Sequence, residues 1–453
     1  MAENDQRQSR KSRRKDWRHN GKGPKRGSKG PALPAPEDLR RYTNAWSVVL
    51  TPNTINLATA GHPWLFGGAI AHSFPPTVRQ PQAGQVCAVF GPEGEYLGHG
   101  YHNAESQIRV RMLGLSVAEE APKSLPELSE RVIAGLKRAT ELRTAMGVPS
   151  RDTDTYRLVN SEGDGLPGLV VDRIADGAVV LISTAGAARM SDAAVGWLTE
   201  NGCTWVVVRT AGDTHPSEGL EAGVQRLEGT VPDEVWHLHH GIRMRAEPKY
   251  GQKSGVYTDQ FGTHLAVARL AKGRRVLDCY SHGGGFGLHA ARSGAKHVRC
   301  VDASQKAVDL CTANAEANGL SGNIEAWCGD AVHMLRDIAE GIEGDQPDLI
   351  ILDPPKFATR SDVVEDALRK YVHLNATAMS ALPPEGGFLV SCSCSGRIDL
   401  QTFLRMLAHS GRKAGRQVQV LEVRGASADH PSLPAHAESR YLKVAICRVT
   451  NRI

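Results

Sequence analysis

The chain has 453 residues, of which 41% are hydrophobic and nine are cysteines, and its formal net charge is +5. This length exceeds what one hydrophobic core usually supports, so we expect two or three domains. No apolar stretch approaches the length that spans a bilayer, and no hydrophobic segment follows the basic start, which predicts neither a membrane span nor a signal peptide. An odd cysteine count without CxxC pairs argues against a disulfide framework or zinc ribbon and favours a reducing, cytoplasmic location.

The positive charge is concentrated at the N-terminus. Residues 1–30 hold 11 Lys or Arg against 3 Asp or Glu, a net of +8, so the remainder of the chain carries −3. We interpret residues 1–42 as a disordered basic tail and proline-rich linker, because they lack the apolar residues needed to fold. Such a tail adds salt-dependent affinity for phosphates without reading sequence. A solubilising tail and a nuclear-targeting signal are the alternatives.

Residues 43–118 are predicted to form a small β barrel. Its first strand is Trp46–Leu50, and later strands cover 86–90, 94–101 and 108–112, separated by glycine-rich turns. Trp64 and Phe66 alternate along a strand-like segment. Two interpretations stay open for them: stacking on unpaired RNA bases, or packing in the core, which is the more common use of such a pattern.

Residues 125–240 are predicted to form a central α/β domain that begins with a helix at 128–146. Strands at 169–174 and 178–183 are joined at Asp176-Gly177, which favours a hairpin turn. The glycine-rich run at 163–168 is closed by no Lys-Ser/Thr pair. We therefore interpret this run as a structural turn and not as a phosphate loop.

Histidines alternate near the end of this domain, at His237, His239 and His240. They have no cysteine or acidic partners nearby in the sequence, which a metal site normally requires. We therefore interpret them as solvated or ordinary core histidines and predict no metal.

Residues 241–453 are predicted to form an α/β domain with a mostly parallel, Rossmann-like sheet and an antiparallel end. A strand at 274–280 leads into a glycine loop and then a helix, an arrangement that turns backbone N–H groups toward a ligand. The loop has neither GxGxxG spacing nor a Gly-Lys-Ser/Thr sequence, which argues against a dinucleotide site and a P-loop. The next strand, predicted at 297–302, places Asp302 about 20 residues after the glycines, where Rossmann-like folds bind ribose hydroxyls.

Two further strands end at carboxylates. Asp330 lies at the end of a third unit, residues 324–331, where it could accept from an adenine amino group or cap the following helix. Asp353 ends an apolar strand within the run 348–357, and Pro354-Pro355 then force the chain out of the sheet. Carboxylates after successive strands predict an S-adenosylmethionine site. The predicted cofactor residues are Tyr280, Ser281, Gly284, Gly285, Phe286, Asp302, Ala303, Asp330, Ala331, Asp353, Pro354 and Gln260.

A fifth strand carries two cysteines, with Cys392 predicted in the strand and Cys394 in the polar loop after it. An acidic Pro-Pro loop is how base methyltransferases grip a flipped base. C5 of cytosine or uracil attacks a methyl donor only after a thiolate adds at C6, a task that suits cysteine. The loop position favours Cys394 as the nucleophile. The alternative is that both thiols are small buried hydrophobes.

These features resemble the bacterial S-adenosylmethionine-dependent 23S ribosomal RNA cytosine-C5 methyltransferases that carry an N-terminal PUA domain. The likeness extends from about residue 51 to the C-terminus. Its motifs occur in family order at 62–66, 104–111, 163–168, 252–255, 353–357, 393–396, 429–431 and 441–443. Two segments depart from the family pattern: Asp259-Gln260-Phe261 replaces Asp-Gln-Arg, and 282–285 reads His-Gly-Gly-Gly instead of Tyr-Thr-Gly-Gly.

The resemblance implies that Cys394 is the catalytic thiol and that Asp353 holds cytosine through N3 and the exocyclic amine. It implies a PUA domain whose partner is structured RNA, here 23S ribosomal RNA or a large-subunit precursor, with a homodimer as one assembly to test. A second cysteine after Pro354 is absent because Pro355 occupies that place, so water or a nearby carboxylate must take the C5 proton. The predicted RNA contacts are Lys356, Lys253, Trp64 and Arg109.

Two other functions stay open. A purine-nitrogen methyltransferase of the same fold would use the Asp353 loop but would not need Cys394. A non-catalytic RNA-binding assembly factor that has kept the cofactor fold is the second alternative, and the unusual loop at 281–285 is the feature that favours it.

Overall fold

The structure, a computed structural model, describes residues 46–74, 81–115, 124–212, 214–358 and 361–452. The predicted basic tail, residues 1–42, lies outside these ranges. None of the helices within the described ranges is both long and apolar enough to cross a membrane.

The N-terminal domain is a six-stranded sheet that corresponds to the predicted β barrel. Its inward face buries Val48, Leu50, Cys87 and Val89 completely, because side chains of a strand alternate between two faces. The elements are β1 (Trp46–Leu50), α1 (Ile55–Thr59), β2 (Trp64–Phe66), β3 (Ile70–Phe74), β4 (Gln85–Phe90), β5 (Tyr96–His102) and β6 (Ile108–Leu115). The spatial order is β2-β6-β5-β4-β1-β3, antiparallel except for the parallel pair β1–β4.

The central domain is a five-stranded sheet with two helices packed on one face. Leu136, Val180 and Met190 represent the apolar cluster that joins both helices to the sheet. The elements are α2 (Leu128–Ala145), β7 (Thr155–Asn160), β8 (Leu169–Ile174), β9 (Gly177–Ile182), α3 (Ala185–Glu200), β10 (Trp205–Thr210) and β11 (Gly223–Gly229). The order is β11-β10-β9-β8-β7, with α3 forming the crossover between the parallel strands β9 and β10.

The hairpin between β8 and β9 turns one residue earlier than the sequence predicted. Its turn residues are Ala175, at φ 51°, and Asp176, while Gly177 is already the first residue of β9. A Cβ on Gly177 would lie 2.0 Å from the Trp205 ring. The glycine is therefore required by packing against Trp205 and not by the turn.

The C-terminal domain contains a seven-stranded sheet. Its elements, with the hairpin that precedes them, are β12 (Val235–His239), β13 (Ile242–Ala246), α4 (Phe261–Ala268), β14 (Arg275–Cys279), α5 (Gly285–Arg292), β15 (His297–Asp302), α6 (Gln305–Ala317), β16 (Ile324–Cys328), α7 (Ala331–Ala339), β17 (Leu349–Leu352), α8 (Val364–Ala381), β18 (Gly387–Ser393), α9 (Leu400–Lys413), β19 (Arg416–Arg424) and β20 (Lys443–Asn451). The order is β16-β15-β14-β17-β18-β20-β19, with five parallel strands and an antiparallel end, as predicted. Helices α4–α6 cover one face and α7–α9 the other.

The strand order reverses at β14. From β14 the chain proceeds to β15 and β16 on one side, then returns to form β17 and β18 on the other side. The loops after β14 and β17 therefore diverge and leave a crevice at the carboxyl edge of the sheet, which is where open α/β sheets bind ligands. The fold thus brings the predicted glycine loop and Asp353 to one crevice.

The β12–β13 hairpin crosses the predicted boundary between residues 240 and 241. On one side, the backbone N–H of Arg245 donates to the side chain of Asn314 on α6 (2.9 Å), and that of Arg243 donates to the side chain of Asn318, which directly follows α6 (2.8 Å). On the other side, Ala246 packs in the apolar cluster of the central domain. The hairpin therefore contacts both domains, and the domain limits stay a prediction.

Buried polar contacts join the central and C-terminal domains. The guanidinium of Arg143, on α2, donates to both carboxylate oxygens of Asp164 (2.6 and 2.9 Å) and to the main-chain oxygen of Asp429 (2.7 Å). A Cβ on Gly163 would lie 1.9 Å from the carbonyl oxygen of Pro431. The run at 163–168, interpreted as a structural turn, therefore contains a docking point between domains.

Candidate active site

The loop after β14 has a tightly curved backbone. Tyr280 (φ 63°), His282 (φ 46°) and Gly284 (φ 81°) all adopt the left-handed conformation, which costs free energy for the two residues that are not glycine. Asp278 lies beneath the loop and accepts from the backbone N–H of Gly287 at 3.0 Å. Burial raises the pKa of Asp278 to about 8. This aspartate, which the sequence did not single out, anchors the start of α5.

Close packing explains the predicted cofactor glycines. A Cβ on Gly284 would lie 2.5 Å from Cys311 Sγ, and one on Gly285 would lie 2.5 Å from the His264 ring. The side chain of Phe286 is buried in the core, so only its backbone is available to a ligand. Ser281 is also buried. Glycine is therefore required at positions 284 and 285, because a side chain there would clash with α6 or α4.

Asp302 is partly exposed at the end of β15, as the predicted ribose ligand should be. Its two carboxylate oxygens accept from the backbone N–H groups of His282 (3.0 Å) and Ser304 (2.9 Å). Its carbonyl oxygen accepts from Gly329 N–H at 3.0 Å, which links this loop to the end of β16. Ala303 is exposed beside it. The structure therefore brings the loops after β14, β15 and β16 together around Asp302.

Asp330 caps a helix, as one of its two interpretations predicted. Its Oδ1 accepts from the backbone N–H of His333 at 2.8 Å, at the start of α7. The side chain is exposed, whereas Ala331 is buried. Capping occupies one of the two carboxylate oxygens, and the cofactor role of both residues stays a prediction.

Asp353 is partly buried at the end of β17, beside the buried Pro354. Its backbone N–H donates to the Cys279 carbonyl (3.4 Å), and its Oδ2 accepts from Gln260 Nε2 (3.0 Å). Burial raises the pKa of Asp353 to about 7; the Asp259 charge adds to this effect. Near neutrality, protonated and ionised forms of this carboxyl coexist. Gln260, a predicted cofactor contact, is a direct partner of Asp353.

The two cysteines of the fifth parallel strand differ in access. Cys392 is fully buried in β18, whereas Cys394 follows the strand and is partly exposed, as predicted. Burial and the nearby Asp353 carboxyl raise the pKa of the Cys394 thiol, while Lys253 opposes them. Burial raises the pKa of Cys392 still further from its ordinary range. Cys394 is therefore the thiol that a substrate can reach.

An ion pair between the exposed Lys253 and the buried Asp259 borders these residues. Lys253 Nζ donates to Asp259 Oδ2 (2.8 Å) and lies 4.5 Å from the centroid of the Tyr257 ring. The Tyr441 hydroxyl donates to the same oxygen of Asp259 at 2.7 Å. Burial acts to raise the pKa of Asp259, but Lys253 and His430 hold it below its usual range. Sequence analysis missed Asp259 because Tyr441 lies 182 residues away.

Lys443 holds the loop that carries the accessible thiol. Its Nζ donates to the main-chain oxygens of Ser395 (2.6 Å) and Tyr441 (2.7 Å). Burial lowers the pKa of Lys443 to about 8, and Cys394 opposes the shift. The only sequence signal for this residue was its place in the motif at 441–443.

Trp64 lies where three domains meet. Its Nε1 donates to Glu162 Oε1 of the central domain (2.7 Å), and its ring centroid lies 4.3 Å from that of His436 in the C-terminal domain. Phe66, two residues later, is 42% exposed, so its ring is more accessible than that of Trp64. Arg109 is partly exposed, and Lys356 is exposed. The RNA contacts assigned to these residues stay predictions.

Comparison with known proteins identifies the family. A PUA-like domain model matches residues 48–114, and a model described as conserved hypothetical protein 95 matches 261–385. The chain is 36% identical over 394 residues to ribosomal RNA large subunit methyltransferase I of Photobacterium profundum, covering 86% of this chain and 95% of that protein. Its namesake in Aeromonas hydrophila is 34% identical over 392 residues, covering 85% and 95%. The chain belongs to the ribosomal RNA large subunit methyltransferase I family.

Solved structures agree on the fold. The structure of SMU.776, described as a methyltransferase complexed with SAH, has a TM-score of 0.73 to this chain at 19% identity, covering 89% of this chain and 99% of that one. A Streptococcus mutans structure described as a SAM-dependent methyltransferase has the same score, identity and coverage. At such identity the likeness concerns the fold alone. The predicted family and the predicted fold class, with its PUA-like domain and Rossmann-like sheet, are confirmed.

Proposed function

We propose that this chain transfers a methyl group from S-adenosylmethionine to C5 of a cytosine in large-subunit ribosomal RNA, through a covalent adduct with Cys394. The proposal rests on an accessible thiol, Cys394, beside a partly buried carboxyl, Asp353. The two residues follow adjacent parallel strands. The family relatives, which are named ribosomal RNA methyltransferases, support the RNA substrate.

Cys394 acts as the nucleophile. Its thiolate adds to C6 of the ring, which places electron density on C5 and makes that carbon able to attack an electrophilic methyl group. C5 forms its bond to the methyl group as the S–CH3 bond of S-adenosylmethionine breaks, which leaves S-adenosylhomocysteine. Water or a nearby carboxylate then removes the C5 proton, and the S–C6 bond breaks to release the thiolate and the methylated base. Lys253 favours the ionised thiol, and Lys443 fixes the loop on which the thiol lies.

Asp353 recognises the edge of the base. A protonated carboxyl offers one donor and one acceptor, which match N3 and the exocyclic amine of cytosine. The raised pKa of Asp353, about 7, makes that neutral form available under physiological conditions. Adenine presents the same pair of groups, so Cys394 is the feature that favours cytosine over a purine.

The carboxyl edge of β14–β16 suits S-adenosylmethionine, which supplies the methyl group when bound. Each carboxylate oxygen of Asp302 accepts one backbone N–H and keeps a further lone pair for a ribose hydroxyl. Asp330 uses Oδ1 as a helix cap, which leaves Oδ2 for an adenine amine. Tyr280 and the fixed backbone of the glycine loop complete the predicted cofactor site.

The RNA partner is 23S ribosomal RNA or a large-subunit precursor. Lys356 and Lys253 contact it near the pocket, and Trp64 and Arg109 contact it on the PUA-like domain. A cytoplasmic location and a homodimer belong to the same set of predictions. Sedimentation of the purified full chain measures the oligomeric state directly.

Methyl incorporation tests the proposed reaction. The full chain is incubated with methyl-labelled S-adenosylmethionine and large-subunit RNA, naked or in precursor particles, and the RNA is digested to nucleosides. We expect 5-methylcytidine, because only a pyrimidine uses the Cys394 adduct. A methylated purine would instead identify the same-fold purine enzyme, and no incorporation into any RNA form would identify a binding factor.

Replacing Cys394 tests the covalent step. We expect Cys394→Ala to abolish methylation and to leave S-adenosylhomocysteine affinity nearly unchanged, because the thiol contacts the base and not the adenosine. Cys392→Ala is the matched control and should keep substantial activity. Reversed outcomes would move the nucleophile to Cys392, and full activity in both variants would exclude the adduct.

A further inference from the structure

Three buried histidines from three elements meet beside the glycine loop. His239 ends β12, His264 lies in α4 and His289 in α5, with exposed fractions of 0%, 5% and 4%. One ring nitrogen of each lies within 4.8 Å of the other two. Within the described part of the chain, no other group of three or more His, Cys, Asp or Glu side chains has this spacing.

Protein atoms do not satisfy all of these nitrogens. His289 Nε2 and His239 Nδ1 are 3.0 Å apart. His239 Nε2 and His264 Nδ1, however, are buried without a hydrogen-bond partner in the structure. A buried polar atom left in this way costs about 1–3 kcal/mol. The two orphaned nitrogens therefore point to a partner that is not a protein atom.

The surroundings keep the three rings rigid and neutral. The Phe261 ring stacks on His239 with centroids 3.4 Å apart, and the Phe286 ring meets His264 edge-on at 4.4 Å. Burial lowers the pKa of all three histidines, and for His239 and His264 the neighbouring imidazoles lower it further. A neutral imidazole keeps the lone pair with which histidine binds metal ions.

We propose that His239, His264 and His289 bind one divalent transition-metal ion of the zinc class. Two nitrogens bound to a tetrahedral zinc ion are about 3.3 Å apart, and one ring nitrogen of each of the three histidines already lies within 4.8 Å of the others. A set of imidazoles without a carboxylate selects zinc-like ions over magnesium or calcium, which prefer oxygen ligands. Water completes the coordination.

The ion would fasten the β12–β13 hairpin to two helices that border the active site. His264 is four residues after Gln260, and His289 is four residues after Gly285, which is one helical turn in each case. The sequence predicted an ordinary histidine at position 239 because its two partners come from separate elements. The departure at Phe261 from the family pattern supplies the ring that stacks on His239.

Cobalt and zinc titrations test the site. The full chain, purified without a polyhistidine tag and stripped with a chelator, is titrated with Co²⁺ while its visible d–d absorption is recorded. We expect saturation at one ion per chain, displacement by Zn²⁺, and a higher Tm with Zn²⁺, because an ion that binds only the folded state stabilises it. X-ray absorption of the zinc-loaded wild-type chain should report three imidazole ligands.

Ligand variants identify the residues. His264→Gln and His289→Gln should each weaken Co²⁺ binding at least about tenfold, because even residues behind metal ligands have effects of that size. His333→Gln is the matched control, since that side chain is 67% exposed on α7. Circular dichroism checks that each variant is folded. Absence of one-to-one binding to the wild type, fewer than three imidazoles on the ion, or equal affinity in folded ligand and control variants would overturn the proposal.

Discussion

Asp353 and Cys394 have opposite requirements for protonation in the proposed reaction. The carboxyl recognises cytosine as a neutral acid, whereas the thiol attacks as a thiolate. The pKa of Asp353 is raised to about 7, and that of Cys394 is raised above its ordinary alkaline value. The active form of the free enzyme has Asp353 protonated and Cys394 ionised, and it is a minority at every pH. The population of this form determines how kcat/KM depends on pH.

The dependence of kcat/KM on pH tests this pairing. Below about pH 7, the wild-type value should rise tenfold per pH unit as the thiol ionises; above it, the simultaneous ionisation of Asp353 should level the curve. In Asp353→Asn the rate should be lower, but its rise should continue past neutrality because the amide does not titrate. A hundredfold rise per pH unit in the wild type would show that Asp353 must be ionised.

Asp302 is predicted to bind the ribose hydroxyls of the cofactor. Removing a hydrogen-bonded partner typically costs about 1–3 kcal/mol, so Asp302→Ala should weaken S-adenosylhomocysteine binding by roughly one to two decades. Calorimetric titration measures the change. Asp309→Ala, on the exposed face of α6, is the control. An unchanged Kd in Asp302→Ala would remove this residue from the cofactor site.

At the scale of elements, the buried end of α2 connects two domains. The side chains of Arg143 and Asp164 are exposed by only 1% and 4%. Two charges at this depth are tolerated because each satisfies the other, and because Arg143 also donates to the Asp429 carbonyl. The helix is therefore fixed by polar contacts as much as by its apolar face.

Replacing Arg143 by Met should leave Asp164 charged, buried and without its partner. We expect the free energy of unfolding to fall by about 3–5 kcal/mol, the usual effect of breaking a buried pair from one side. Urea denaturation followed by circular dichroism measures this change. Arg138→Met, at an exposed position of the same helix, should stay within about 0.5 kcal/mol of the wild type. Similar losses in the two variants would contradict the role of the ion pair.

Strands and their order were largely predictable from local patterns. The bounds of β8 and β15 agree with the predicted strands, because apolar runs between glycines and carboxylates leave little choice of limits. The predicted turn at Gly177 was wrong by one residue, since Trp205, whose ring requires the glycine, lies on another strand. The local sequence indicates where the backbone must turn, but it does not show which positions a side chain on a distant strand will contact.

The same distinction applies to the site. Asp302 and Asp353 were predicted at one edge because strand ends in a parallel sheet converge there. The partners of Asp259 and the companions of His239 were not predicted, because they come from elements far apart in the sequence with no shared periodicity. The order of the strands brings the carboxylates together, whereas the packing of separate elements brings the histidines together.

At the scale of the whole molecule, the basic N-terminal residues are predicted to act separately from the folded domains. Deleting residues 1–30, with their net charge of +8, should lower RNA affinity and flatten its dependence on salt. The methylated nucleotide should not change, because phosphate attraction carries no sequence information. Binding at several salt concentrations and mapping of the product measure both effects.

A Gly/Ser segment of the same length is the control, since it keeps the chain length and removes the charge. An unaltered salt slope in both variants would assign a solubility role to these residues. A relocated methyl group would show that they help to select the target.

The contacts of Trp64 and of Arg143, which Asp164 holds in place, fix the distance between the PUA-like sheet and the crevice at Asp353. Polar contacts tie both to the central domain: Trp64 donates to Glu162 from the PUA-like sheet, and Arg143 donates to the main-chain oxygen of Asp429 in the domain that carries Asp353. If the proposed function is right, we therefore expect a substrate RNA to present its docking element and its target base at a set separation. Inserting base pairs between these two features should abolish methylation abruptly, even when the target loop keeps its sequence.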